Sequence, residues 1–72
     1  MLAAIQPASL DQPMPSGYLV VAWSDHDCPT RWHFTEVRIP AGYAGEQAEE
    51  AVAIIEAGNG EIIVHEFKWY TA

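Results

Sequence analysis

One stretch of the chain repeats its apolar positions every three to four residues, and three others are rich in strand-forming residues. At about 100° per residue, Ala44, Ala48, Ala51, Val52 and Ile55 fall on one side of a helix and Glu46, Glu49, Glu50 and Glu56 on the other. This predicts a helix over Glu46–Ala57 with one packing face and one acidic face. Its glutamates suit the positive end of the helix dipole, although no Ser, Thr, Asp or Asn stands at the expected N-cap. The run Ala57-Gly58-Asn59-Gly60 predicts the stop near Ala57, because glycine adopts the left-handed conformation without a Cβ penalty.

Gly17–Ser24 is β-branched and aromatic, with Leu19, Val21 and Trp23 alternating against Tyr18, Val20 and Ala22. Apolar residues on both faces predict a central strand. Asp25–Thr30 has turn chemistry. Arg31–Ile39 is the second strand, and its apolar positions change phase between Phe34 and Val37, which predicts a bulge near Thr35 or Glu36. Glu61–Tyr70 is the third strand, with Ile63, His65, Phe67 and Trp69 on one face and Ile62, Val64, Glu66, Lys68 and Tyr70 on the other. A right-handed crossover through the helix makes the third strand parallel to the second, and only a place beside the first keeps neighbours antiparallel.

The expectation is an α+β fold: a three-stranded antiparallel sheet, ββαβ with order 2-1-3, and one helix packed on one face. Residues 1–16 carry Pro7, Pro13 and Pro15, each of which removes a backbone donor, and so form an extended N-terminal arm, solvated or paired along a sheet edge. Residues 17–72 form a single α+β domain. One helix covers one sheet face, leaving some of Tyr18, Val20, Trp32, Val64 and Tyr70 to be covered by the arm, a second copy or a partner.

Composition adds a sign to this outline. Ten acids against three bases give the 72 residues a net charge of −7, with Arg31, Arg38 and Lys68 scattered. Direct nucleic-acid binding is excluded as an expectation, since affinity for phosphate backbones comes largely from clustered cations. Anionic membranes would repel the chain, whereas a basic protein surface would attract it. A chain this short has a thin core and gains stability by association, so a homodimer is also expected to be accessible. The lone Cys28 cannot form an internal disulfide, and Met1–Pro7 has neither the charge nor the apolar length of a signal peptide. A cytoplasmic protein is expected, in the host cytoplasm if a virus encodes it.

Asp25, His26, Asp27, Cys28 and His33 form the densest group of potential metal ligands, with His65 a fourth ligand if the strand register brings it to His33. Structural zinc sites favour four N or S ligands with paired cysteines, and only one cysteine exists, so no metal or cofactor is expected. Cys28 near a histidine suggests a thiol nucleophile, but the flanking aspartates oppose thiolate formation and no oxyanion site adjoins it. Phosphate loops, dinucleotide fingerprints and nucleophile elbows do not occur, and no enzymatic activity is expected. The sheet aromatics could stack bases, but without clustered cations they read as core and interface.

The functional expectation is a small acidic protein-interaction module that binds a basic surface of a larger protein. Glu46, Glu49, Glu50 and Glu56 would steer the contact, and Trp32 or Trp69 would anchor it. Phage and mobile-element inhibitors of host defence, including anti-CRISPR proteins and DNA mimics, behave this way, a comparison resting on size, acidity and lack of motifs alone. The alternative is a structural or assembly protein that homodimerises through its open sheet face.

Overall fold

The computed structural model describes residues 4–71, in which the sequence patterns resolve into seven elements. In chain order these are β1 (Ala4–Ile5), β2 (Pro13–Met14), β3 (Gly17–Asp25), β4 (His33–Ile39), β5 (Gly42–Tyr43), α1 (Ala44–Asn59) and β6 (Ile62–Thr71). The protein is α+β, with an antiparallel sheet in the order β1-β6-β3-β4, a two-stranded β2-β5 ribbon and one helix. The three long strands have β3 in the middle, but the sheet has four strands where the sequence pattern suggests three. The additional strand comes from the arm: Ala4 pairs with Tyr70 and Ile5 with Trp69 along the outer edge of β6. Residues 1–3 of the arm and residue 72 lie outside the described residues.

The alternation of β3 places Leu19, Val21 and Trp23 against the helix, with Val37 and Ile39 of β4 and Ile62 and Trp69 of β6 beside them. Ala44, Ala48, Ala51 and Ile55 of α1 close this core. Full burial of Leu19 and Val21 contributes about 1.5–3 kcal/mol each relative to exposure. Gly17 opens β3 where the chain has no room for a side chain: a Cβ there would strike the Tyr70 carbonyl oxygen. Gly17→Ala is therefore expected to destabilise the fold by about 1–3 kcal/mol, read as a lower urea midpoint at unchanged slope. An unchanged midpoint would show that β3 and β6 separate freely at this end.

Two irregularities differ from expectation. The β3–β4 ladder runs in continuous register from Gly17–Ile39 to Trp23–His33, so β4 has no bulge at Thr35 or Glu36. The change of phase has another cause: Phe34 lies on the open face and Val37 on the helix face, each exposed or buried accordingly. The bulge lies in β6, where Ala22 pairs with Glu66 and Trp23 with Val64, leaving His65 as the extra residue. It moves Ile62 and Val64 to the helix side with Phe67 and Trp69, reversing the faces expected for the first half of this strand. β4 also begins at His33 and not Arg31, because the Cys28 N–H donates to Asp25 O and the Arg31 N–H to Cys28 O, continuing the turn.

The helix, Ala44–Asn59, is two residues longer at each end than the expected Glu46–Ala57. At the start, Tyr43 is the N-cap and supplies no side-chain bond; the arm does the capping, with Gln12 O accepting from Ala44 N–H at 3.0 Å and Leu10 O from Gly45 N–H at 2.9 Å. Backbone carbonyls thus replace the missing cap residue. Pairing of β2 with β5 and burial of Met14 hold the arm there. At the far end Gly58 stays helical, and Gly60, at φ 79° and ψ −165°, ends the helix in a positive-φ conformation that glycine adopts without a Cβ penalty, while its N–H donates to Glu56 O.

Candidate functional site

The helix geometry separates the four glutamates into two pairs. Taking Glu46 as zero, Glu50 lies about 40° away, while Glu49 and Glu56 lie about 20° from each other and some 60–80° to the other side. Glu46 and Glu50 face outward, whereas Glu49 and Glu56 stand beside a groove of ≈470 Å³ lined by Leu10, Ala48, Val52, Ala53 and Phe67. Small residues create it: Gly45, Ala48 and Ala53 occupy the helix flank next to β6, where longer side chains would fill the space. Its walls are apolar, its rim carries two carboxylates, and the last turn of α1 holds no cation to neutralise them.

A second groove of ≈470 Å³ shares Leu10 and Phe67 and runs between arm residues 6–10 and the outer side of β6 at His65, Glu66 and Trp69. β1 pairs only with Trp69 and Tyr70, so the outer edge of β6 over residues 62–68 has no strand partner among the described residues. Such an edge offers unpaired backbone N–H and C=O groups to an added strand. The groove floor and the free edge therefore meet along Phe67.

Gln47 fixes the helix relative to these walls. It lies 2% exposed on the apolar side of α1, between Ala44 and Ala51. Its Nε2 donates to Pro40 O at 2.7 Å, and its Oε1 accepts from Trp69 Nε1–H at 3.0 Å. One carboxamide thus ties α1 to β6 and to the turn that precedes β5. The helical period places residue 47 on the packing stripe, so a buried amide was the signal that the list of apolar residues passed over.

The two tryptophans do not join the glutamates. Trp69 is 5% exposed and held by Gln47, so it belongs to the core and is not a surface anchor. Trp32 is 48% exposed but lies on the face opposite the helix, its ring stacked on His65 at a centroid distance of 4.3 Å. The aromatic that the glutamates share a surface with is Phe67, next to the exposed Leu10.

The histidines around the first turn are likewise separated. His33 packs on Trp23 at 4.6 Å on the helix side, with Nε2 3.8 Å from Asp25 Oδ2. His65 turns to the other face, where its Nε2 is 2.7 Å from the hydroxyl of the fully buried Ser24. That hydroxyl also lies 3.0 Å from Pro29 O, which can only accept, so the hydroxyl donates to Pro29 and His65 Nε2–H donates to the hydroxyl. Register thus does not bring His65 to His33, and Cys28 is exposed on the turn. Among the described residues no three His, Cys, Asp or Glu side chains are arranged to hold a metal ion, and no helix is long and apolar enough to cross a membrane. Comparison with family models, curated proteins and solved structures finds no match to this chain.

Proposed function

We propose that this protein is an interaction module that takes an extended, basic segment of a larger protein into the groove between α1 and β6. The observation that supports this most strongly is the coincidence of an apolar groove, a carboxylate rim at Glu49 and Glu56, and the free outer edge of β6. A strand added to that edge would gain main-chain hydrogen bonds, and alternate side chains would enter the groove past the glutamates. Lysine or arginine at those positions would place its aliphatic stem on Val52, Ala53 and Phe67 and its charge at the rim. Glu46 and Glu50, with the rest of the net charge of −7, steer the approach.

A narrower form of the proposal is that the carboxylates occupy sites where a nucleic-acid-binding partner holds phosphates, as DNA mimics and inhibitors of host defence do. Competition measures it: the protein should displace nucleic acid from a captured partner. The groove itself is tested by Ala53→Arg, which puts a cation at its mouth on an exposed helix position. Affinity for the purified partner, measured by titration calorimetry, should fall at least about tenfold with helicity unchanged. Equal affinity for the variant would remove the groove from the contact.

A further inference from the structure

The face of the sheet away from α1 differs in charge from the rest of the molecule. It is built of three cross-strand rows: Arg38–Tyr18–Tyr70, Glu36–Val20–Lys68 and Phe34–Ala22–Glu66. Two of the three cations in the sequence stand here with only two of its ten acids, so this face is neutral while the remainder carries the whole excess of −7. Phe34 projects from it, 67% exposed, and a depression of ≈130 Å³ lies beside Phe34, bounded by Val20, Ala22, Glu66, Lys68 and Tyr70. The arm, which runs along the helix side, does not cover it.

From this arrangement we infer that the open sheet face binds a second copy of the chain, about a two-fold axis parallel to the strands. For two copies of so acidic a protein, this is a surface on which like charges do not oppose association. The rows select the axis. A two-fold along β3 reverses left and right but keeps each row, so Glu36 of one copy faces Lys68 of the other, twice, and Arg38 faces the ring of Tyr70. The same operation carries Phe34 across to the side of Glu66, over the depression beside Ala22. A two-fold across the strands would instead set Glu36 against Glu36 and Lys68 against Lys68. Aligned packing of twisted sheets is the ordinary geometry for such faces.

Three strands about 4.8 Å apart and about seven residues long give a patch of about 14 by 24 Å, small for a permanent dimer. The association is therefore reversible and concentration-dependent, and leaves the groove on the opposite side of the sheet free. Sedimentation equilibrium of the full chain from low-micromolar to submillimolar concentration reads it directly. Dimers should form, Glu36→Lys and Lys68→Glu should each weaken them at least about tenfold, and the double exchange should restore affinity to within about threefold. Phe34→Ser, at an exposed position, should weaken them comparably, with circular dichroism unchanged. Monomers at every concentration, or dimers whose affinity ignores both charge reversals and Phe34→Ser, would overturn the inference. A double exchange as weak as the single variants would overturn the strand-parallel axis and the inference with it.

Discussion

Replacing Gln47 by alanine is expected to lower the stability of the fold by about 2–4 kcal/mol, although the residue is polar and lies on a helix. The loss has two sources. Without the carboxamide, the buried Trp69 indole N–H loses its acceptor, and a buried group left unpaired costs about 1–3 kcal/mol; the Pro40 carbonyl also loses its donor, but Pro40 is exposed and water can take the place. The space vacated under α1 adds to this, because the Gln47 side chain is buried, 2% exposed. A domain of this size has about 4–11 kcal/mol of stability in all, so the midpoint of thermal unfolding should fall by about 10–30 °C. Gln47→Leu keeps the volume and loses the bonds, and should recover only the packing part. If Gln47→Ala costs less than about 0.5 kcal/mol by chemical denaturation, the amide is not what seats the helix on β6.

Reversing the rim of the groove, Glu49→Lys with Glu56→Lys, should leave the fold intact and remove recognition of a basic partner. Both side chains flank the groove and neither contributes to the core, so circular dichroism and melting should change little. Affinity should fall at least about tenfold, since two attractions become two repulsions at the mouth of an apolar site. The salt dependence separates this from a general effect of net charge. Glu46→Lys with Glu50→Lys changes the net charge equally but from the outward face of α1, so it should slow association and spare the dissociation rate. The rim pair should also speed dissociation. Equal effects of the two pairs on both rates would assign the acidity to long-range steering alone.

Much of this architecture is written in side-chain period, and the parts that are not have identifiable causes. β3 is legible because Leu19, Val21 and Trp23 alternate against Tyr18, Val20 and Ala22 and both sets are apolar. The core of α1 is legible for the same reason. The bulge at His65 is not, because an extra residue changes which face follows it without changing the strand propensity of Ile62–Val64. The capping of α1 by the carbonyls of Leu10 and Gln12 leaves no mark in side-chain identity, since every residue carries the same acceptor.

The candidate site divides in the same way. The carboxylates follow from counting turns, and the small residues Gly45, Ala48 and Ala53 on one flank were the available sign of a groove. What carries no sign in side-chain identity is the free edge of β6 beside that groove, set by the short reach of β1. Trp69, expected as an anchor, shares a face with Phe67 in the alternation of the third strand, and that is the face the helix covers. Exposure of Trp32 depends on the turn folding back over His65 and Ser24, which is a tertiary event.

The groove between α1 and the outer edge of β6 is proposed to hold a basic segment of another protein. Its most direct test is an amide chemical-shift map of the labelled protein titrated with a purified partner, or with the basic segment of that partner. The largest shifts should fall at Leu10, Glu49, Val52, Ala53, Glu56 and Phe67, together with slowed hydrogen exchange along β6 as its free edge pairs. Shifts confined to the turn over residues 26–32, or to Tyr18, Val20 and Phe34 on the open face, would contradict it.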